Sequence, residues 1–551
     1  MKIILKYKKD NMILNLLFLV IFMIGCTNTN VMENEFSEFL KKYEEKAIPL
    51  ATAYNSAYFK ASISGMEEDY NKVADLNFEQ SKLHSDKNDF ELLKRIKESK
   101  KVKDPILERQ LIILYNIYLA KQVEEDKLKE IIDLESKIEK TFSTFRTEIG
   151  GIEYSDNKID SVLRNSISSI EVEKDIIELA KKRNAIAREL DFNNFHEMKL
   201  KLSEQDPGEI IAIFDELDSL TRDIFSELKL DIDNYLCEKF SITEKELLPW
   251  HYQNKFFQEG MVIYNIDFDK YYKNQDVVAV SGKYYTGIGL QVDDIISRSD
   301  LYEKPGKNQH AYCTDIDRVG DVRILCNIRA NHYWMNTMLH ELGHGVYSKY
   351  HDRDMPYLLK DAAHTFTTEA IANFFGRLAS NSYWINKNIG VNKNETDKIA
   401  EKSYKSLKLQ QLIFSRWSQV MFRFEKSFYE NPNQNLNTLW WDLVENYQML
   451  KKPDVRDEPD WASKIHIASY PCYYHNYLLG ELLASQIYFH IANNILQGKP
   501  GQLDYSNNVE IGEFLKKNIF KPGAFYEWND MIEKATGEKL TAKYYSKQFI
   551  K

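Results

Sequence analysis

Residues 335–346 of the chain read Met-Asn-Thr-Met-Leu-His-Glu-Leu-Gly-His-Gly-Val, and this stretch decides the expected fold and chemistry. Its apolar side chains recur at helical spacing, which predicts an α-helix. On a helix, positions i and i+4 lie on the same face, so His340 and His344 can bind one Zn²⁺ ion together. Glu341 lies beside them and can accept a proton from a zinc-bound water. The stretch therefore predicts a zinc-binding helix that also carries a general base.

A third ligand is needed, because catalytic zinc takes three protein ligands and keeps its fourth position for water. Residues 367–375 read Thr-Thr-Glu-Ala-Ile-Ala-Asn-Phe-Phe, which predicts an apolar helix with a single acid. A carboxylate among such neighbours is costly to bury unless it is paired or metal-bound. We therefore predict Glu369 as the third ligand of one zinc ion per chain. Asn373, one turn further on, is predicted to orient a ligand.

The composition favours a large helical body around this site. The chain has 551 residues but only 21 Gly and 12 Pro, fewer turn-forming residues than a β-sandwich or a propeller requires. Hydrophobic residues make up 43% of the chain, which is enough to form a packed core and argues against a disordered chain. The formal net charge is −10 and no basic block is present, which argues against a nucleic-acid partner.

Helical periodicity predominates along the chain. Residues 105–146 read as one long helix or a helical pair, and residues 173–190 and 209–230 as further amphipathic helices. Between Val277 and Ile328, Gly, Asp and alternating apolar residues predict a small β-sheet. No repeat or low-complexity linker divides the chain. We therefore predict one large, mostly α domain with two lobes.

The amino-terminal residues predict export. Lysines precede a short apolar run, Met12 to Ile24, which is too short to cross a bilayer but suits a secretory signal. The run ends in Gly25-Cys26, which resembles a bacterial lipobox with a lipidated cysteine. We expect a signal peptide over residues 1–25, lipidated Cys26 with a tether over residues 26–32, and the main domain over residues 33–551. An ordinary signal peptide with an incidental cysteine is the alternative.

Four further cysteines follow, at positions 237, 313, 326 and 472. Export permits disulfides, and four thiols allow three pairings. Cys313 and Cys326 bracket two short strand-like runs with Gly320 at the turn between them. We predict a disulfide between these two residues; a pair of free buried thiols is the alternative.

Several motifs together resemble the angiotensin-converting-enzyme family of peptidyl-dipeptidases, which belongs to the gluzincin metallopeptidases. The similarity covers, in patches, most of the chain after about residue 100: the Cys pair with Asp-Val-Arg-Ile-Leu (321–325), the zinc helix, Glu369-Ala370, Trp-Trp-Asp-Leu (440–443), Tyr447-Gln448, Lys-Ile-His (464–466) and stretches of residues 183–200. The block Tyr-Tyr-His-Asn-Tyr-Leu-Leu-Gly (473–480) is equally similar to thimet oligopeptidase and oligopeptidase F.

The resemblance implies further site residues. It assigns His466 and Tyr477 to the oxyanion of the tetrahedral intermediate, where their donor groups bind more strongly as the carbonyl oxygen gains charge. It assigns Lys464, Tyr474 and Gln253 to the terminal carboxylate of the substrate. Animal members carry chloride-site arginines where this chain has Val444 and Asn476, so we expect weak or no chloride dependence.

The resemblance also implies a bilobed helical ellipsoid with a deep groove, the zinc helix in its floor and amino-terminal helices as a lid. Such a groove would admit short peptides and exclude folded proteins. We therefore expect an extracytoplasmic zinc metallopeptidase, lipid-anchored to a bacterial membrane, that releases C-terminal dipeptides from oligopeptides. A thimet- or oligopeptidase-F-type endo-oligopeptidase is one alternative. A non-catalytic, lipid-anchored peptide-binding protein is the other, although the intact zinc ligands and Glu341 count against it.

Overall fold

The computed structural model describes residues 2–144, 147–149, 152–154, 168–252, 254, 256–261, 263–264, 266–498 and 504–549. Side chains are described for the same residues except 2–30, 142–144, 147–149, 152–154 and 168–171. Over this part of the chain the fold is mostly helical, as predicted.

The described α-helices are numbered in chain order. Helices α1 to α8 are Lys2–Ser64, Glu67–His84, Lys87–Ser99, Pro105–Leu119, Glu125–Thr144, Ser168–Glu189, Phe195–Leu202 and Pro207–Phe240. Helices α9 to α21 are Asp269–Tyr272, Val277–Gly287, Asp293–Arg298, His332–Lys349, Thr365–Gly376, Ser382–Trp384, Lys393–Glu430, Leu436–Leu443, His466–Ser469, His475–His490, Val509–Leu515, Trp528–Thr536 and Lys543–Lys547.

The described strands form two antiparallel hairpins: β1 (Thr147–Ile149) with β2 (Ile152–Tyr154), and β3 (Tyr312–Asp315) with β4 (Val322–Leu325). The second hairpin contacts α12, the helix of the predicted zinc motif, so the predicted small sheet beside that helix is confirmed. The strand pattern does not extend back to Val277, however, because α10 and α11 occupy that region. Asp276 caps α10 by accepting a hydrogen bond from Ala279 N at 3.0 Å, which starts a helix there.

Local sequence explains where several helices begin. The predicted segment 105–146 is a helical pair, α4 and α5, with a break after Ala120. Asp104 caps α4 by accepting from Ile106 N and Leu107 N at 2.9 Å, and Pro105 occupies its first turn. Asp206 and Pro207 start α8 in the same way. In each Asp-Pro pair the Asp side chain accepts hydrogen bonds from amide groups that a helix N-terminus leaves unpaired, and the Pro has no N–H that needs a partner.

The amino-terminal helices have a hydrophobic core of their own. It joins α1, α3 and α4 through Phe36, Phe39, Leu40, Tyr43, Leu93, Ile96, Leu111, Leu114 and Tyr118. The main core is separate and is shared by α8, α10, α12, α13, α15 and α18. The fold therefore consists of a large helical body and a smaller layer of amino-terminal helices.

The amino-terminal layer contacts the body next to the hairpin that precedes the zinc helix. Asn55 on α1 donates hydrogen bonds of 3.2 Å to the carbonyl oxygens of Asp315 and Ile316. On α4, buried Arg109 pairs with Glu204 and donates to Ala524 O at 2.7 Å. A cavity of about 390 Å³ lies between these helices and the body. The layer therefore covers one side of the body, and its role as a lid stays a prediction.

The β3–β4 hairpin corrects the disulfide prediction. Cys313 lies opposite Ile324, so Cys326 is displaced by two residues along the partner strand. Diagonal positions of this kind are about 7–8 Å apart, beyond the usual Cα separation across a disulfide. Both thiols are free, and burial raises the pKa of each. The predicted Cys313–Cys326 disulfide is therefore wrong: the structure contains two free thiols, as in the alternative, with Cys326 buried and Cys313 half-buried.

At the amino terminus, α1 begins at Lys2 and passes through the predicted signal peptide and tether. Cys26 belongs to the segment whose side chains are not described, so its lipidation stays a prediction. Within the described residues, no helix combines the length and the apolar character that a membrane span requires.

Candidate metal centre and active site

The helix that carries the zinc motif, α12, is fixed by its cap and by its apolar face. Asn331 caps it by accepting a hydrogen bond from Trp334 N at 2.9 Å. Five apolar side chains on one face are fully buried: Met335, Met338, Leu339, Leu342 and Val346. Burial of that face sets the rotation of the helix, and His340 and His344 then lie together on another face, one turn apart.

The ligand atoms of the three predicted residues lie close together. Nε2 of His340 lies 3.2 Å from Nε2 of His344 and 3.7 Å from Oε2 of Glu369. Nε2 of His344 lies 3.8 Å from Oε1 of Glu369. Ligand atoms bound tetrahedrally to one zinc ion at 2.0–2.1 Å are about 3.3 Å apart. These residues can therefore hold zinc, and the described part of the chain contains no second such group of three His, Cys, Asp or Glu.

Close contact between α12 and α13 brings Glu369 to the two histidines. A Cβ atom at Gly343 would lie 2.8 Å from Cα and 3.1 Å from N of Ala372. Because both atoms belong to backbone, no side-chain rotation could relieve that clash. Glycine at position 343 therefore permits the approach of the two helices on which the ligand geometry depends.

Neighbouring polar groups orient the imidazole rings. Nδ1 of His344 lies 2.8 Å from the hydroxyl oxygen of Thr368. That oxygen can accept a hydrogen bond from Nδ1–H, which leaves Nε2 unprotonated and able to bind a metal. Asn373 lies close enough to His340 for its side chain to raise the pKa of that ring, and its orienting role stays a prediction. Burial lowers the pKa of His340 to about 4 and that of His344 well below its usual value. Both rings are therefore neutral near pH 7, the form that binds metals.

Glu341 lies next to the ligands in sequence but is not one of the three residues of the metal group. Its side chain is only 6% exposed, and Oε2 has no hydrogen-bond partner among the residues that the structure describes. Burial, followed by the charge of Glu369, raises its pKa to about 8. An unpartnered buried carboxylate oxygen beside a metal centre fits a group that accepts a proton from the reacting water.

Helix α18, which carries the predicted oxyanion residue Tyr477, packs against the helix of Glu369. A Cβ atom at Gly480 would lie 3.2 Å from Cβ of Glu369, so α18 and α13 are in close contact. Tyr477 lies one helical turn before Gly480, and burial raises the pKa of its hydroxyl. The ring of Tyr474 lies 5.4 Å from the Tyr477 ring and 5.2 Å from the His466 ring. The structure thus brings His466, Tyr474 and Tyr477 together, with Tyr477 on the helix that contacts the ligand Glu369.

Lys464 also lies against Tyr474. Its Nζ is 5.3 Å from the ring centroids of Phe256, Trp417 and Tyr474, and it donates a 2.7 Å hydrogen bond to Oε1 of Gln258. Gln258 was not among the residues predicted from sequence, and no local pattern marks it, because its partner is 206 positions away. Gln253, which was predicted for this pocket, lies outside the described residues.

The two positions where arginines bind chloride in the animal relatives have other roles here. Val444 is a buried apolar residue. Asn476 is buried, and its Oδ1 accepts a 2.8 Å hydrogen bond from Gln205. The expectation of weak chloride dependence stays a prediction.

Comparison with known proteins identifies the family. The sequence pattern of peptidase family M3, the thimet oligopeptidase family of zinc-dependent gluzincins, matches residues 159–550. No curated protein matches the chain. The matched span is well over half of the chain and contains every metal-centre residue described above. The chain therefore belongs to peptidase family M3 and is a zinc metallopeptidase.

Proposed function

We propose that this peptidase acts as a peptidyl-dipeptidase, removing two residues at a time from the carboxyl ends of oligopeptides. The observation that carries this proposal is the hydrogen bond from buried Lys464 to half-buried Gln258, next to Tyr474 and hence next to the oxyanion candidates. A peptidase that measures from the carboxyl end needs a cation at a fixed distance from the scissile bond.

The distance in the site suits a dipeptide. Nζ of Lys464 and the ring of His466 lie on the same tyrosine, 5.3 and 5.2 Å from the centroid of Tyr474. Because both lie within about 5 Å of one ring centroid, their separation is at most roughly 10 Å, and two extended residues, which span about 7 Å, fit within that limit. Lys464 is only 8% exposed, so a hydrogen bond from it to a carboxylate would form largely out of water and would be strong.

Different residues of the chain carry out the separate steps of hydrolysis. His340, His344 and Glu369 would hold the zinc ion, which, when bound, would polarise the scissile carbonyl and lower the pKa of a coordinated water to about 7. Glu341 accepts the proton of the attacking water and then donates it to the leaving amine. His466 and Tyr477 donate hydrogen bonds to the oxygen that becomes negatively charged. Lys464, Gln258 and Tyr474 bind the free carboxylate and thereby select the bond to be cut.

An endo-oligopeptidase of the thimet type is the second candidate function. Membership of family M3 favours it, because thimet oligopeptidase belongs to the same family. It would use the same zinc site, Glu341 and oxyanion donors, but would not require Lys464 to bind a chain end. The two functions therefore differ in one property, dependence on a free carboxylate.

Replacing Lys464 with Ala should lower kcat/KM for free-acid peptides about ten- to a hundredfold, because a charge-assisted hydrogen bond worth about 1.5–3 kcal/mol is lost. Cleavage of the same peptides with an amidated carboxyl end should scarcely change. Mass spectrometry of timed digests measures both. Lys516→Ala is the matched control, since Lys516 also lies over an aromatic ring, 4.9 Å from the Tyr350 centroid.

Equal cleavage of free and amidated peptides at internal bonds by the wild-type enzyme would reject dipeptide release. The endo-oligopeptidase would then be the correct function. A Lys464→Ala variant that keeps the wild-type preference for free-acid peptides would show that Lys464 does not recognise the carboxyl end.

We also propose that the enzyme is exported and anchored to a bacterial membrane by lipid on Cys26, as the lipobox-like sequence suggests. Cys26→Ser should move the protein from the membrane fraction to the soluble fraction and abolish labelling by a radioactive fatty acid. Cys237→Ser provides a matched control, because it removes a different free thiol. Recovery of unlabelled wild-type protein in the soluble fraction would contradict the anchor.

A further inference from the structure

We propose that Arg183 and Glu425 are positioning residues for catalysis, which hold the segment joining His466 to Tyr474 and Tyr477. Neither lies in the metal centre or in the carboxylate pocket. The inference rests on the proposed function, in which His466 and Tyr477 stabilise the oxyanion.

The joining segment has an unfavourable backbone conformation. It leaves α17 at Ser469, turns, and enters α18 at His475. At Cys472 the backbone has φ of 57°, in the left-handed region that side-chain-bearing residues avoid. Such a conformation persists only where surrounding contacts impose it. The turn therefore depends on interactions from outside the segment.

Glu425 supplies one of these interactions. It lies on α15, is only 2% exposed, and its Oε1 accepts a hydrogen bond of 2.7 Å from the backbone N–H of Cys472. The amide it binds belongs to the residue with the left-handed conformation. Because the carboxyl group is buried, this hydrogen bond has no competition from water and is a strong constraint on the turn.

Arg183 holds the other end of the segment. It lies on α6, is 4% exposed, and donates a hydrogen bond of 2.6 Å to the carbonyl oxygen of Ala468. The same guanidinium donates to Oε1 of Glu135 at 2.6 Å and to the hydroxyl of Tyr429 at 3.0 Å. A buried guanidinium with several fixed acceptors has little freedom to move. The segment is therefore fixed through its backbone at both Ala468 and Cys472.

This support acts on groups needed chiefly in the transition state. Oxyanion donors must lie within about 2.7–3.1 Å of the developing charge, and a misplacement of about 1 Å can cost about a hundredfold in rate. Substrate binding in the ground state makes less use of these donors. Tyr474 lies in the same segment, but Lys464 and Gln258 bind the substrate carboxylate from outside it, so loosening the turn should lower kcat more than it raises KM.

The test compares Glu425→Ala with Glu425→Gln. Glu425→Ala should lower kcat about ten- to a hundredfold, with KM and zinc content close to wild type. Glu425→Gln should recover most of that loss, because its amide oxygen can still accept the Cys472 N–H. Glu216→Ala is the matched control: Glu216 on α8 accepts the backbone N–H of Ala542 at 2.8 Å, a similar contact to a different segment, and kcat should be unchanged.

A double-mutant cycle distinguishes positioning from general stabilisation. In a Tyr477→Phe background, Glu425→Ala should cost much less than it does alone, because both changes impair the same interaction. Additive losses, or a folded Glu425→Ala enzyme with wild-type kcat, would overturn the proposal. If Glu425→Ala does not fold, Arg183→Lys decides by the same kcat readout, since lysine keeps the charge but cannot bond Ala468 and Tyr429 at once.

Failure of the proposed function would give a different result. In that case His466→Ala and Tyr477→Phe would keep wild-type kcat, or wild-type enzyme would release no dipeptides. Loss of kcat in those two variants with none in the folded Glu425 and Arg183 variants would refute only the positioning inference.

Discussion

Glu341→Gln should reduce peptide cleavage by about 10²- to 10⁴-fold while zinc remains bound. The amide has the shape of the carboxylate but cannot accept the proton of the attacking water. The ligands His340, His344 and Glu369 are unchanged, so metal affinity should be retained. Turnover of a fluorogenic peptide and elemental analysis of the dialysed protein measure the two properties separately.

A surface variant controls for the loss of one carboxylate. Glu303→Gln removes a charge that pairs with Arg329 at 2.5 Å on the exposed surface, and activity should not change. Near-wild-type turnover by zinc-loaded Glu341→Gln would show that another group accepts the proton, and the assignment of Glu341 would have to be abandoned.

Gly343→Ala should remove zinc and destabilise the protein, although it adds only one methyl group. The new Cβ would lie 2.8 Å from Cα of Ala372 and 3.2 Å from the carbonyl oxygen of Ile371, so α12 and α13 would have to separate. Overpacking of this kind costs about 1–3 kcal/mol or more. Separation also moves Glu369 away from the histidines. Thermal unfolding and metal analysis should therefore both report a loss.

The same helix offers a matched control two residues further on. At Gly345 the nearest atom to a new Cβ is Cδ1 of Ile295, at 3.2 Å, the end of a flexible side chain. Gly345→Ala should therefore be tolerated and keep its zinc, aided by the higher helix propensity of alanine. Stoichiometric zinc and an unchanged Tm in Gly343→Ala would refute the claim that this contact sets the ligand geometry.

The metal centre could be predicted from sequence because its determinants are local. His340 and His344 are one helical turn apart, so their spacing alone places them on one face. Glu369 was recognisable as the single acid in an apolar helix. Burial of the apolar face then fixed the helix rotation, and the structure brings these residues together as expected.

Other parts depend on contacts that local sequence does not encode. The pairing of Cys313 with Ile324 is set by the register of two whole strands, which the cysteine spacing did not reveal. Gln258 meets Lys464 only because the folded chain brings distant segments together. The supports of the oxyanion segment, Arg183 and Glu425, come from two further helices and belong to the same class of long-range contact.

The separate core of the amino-terminal helices has a consequence for how such enzymes diversify. Helices α1, α3 and α4 pack around Phe36, Leu93 and Leu114, and they precede the part of the chain that matches the family pattern. The metal ligands, Glu341 and the oxyanion donors all lie within that later part. Mutations in the amino-terminal core can therefore alter how this layer sits on the body while leaving the metal ligands and Glu341 unchanged. The two segments of the gene can thus accumulate substitutions separately, because they encode separate hydrophobic cores.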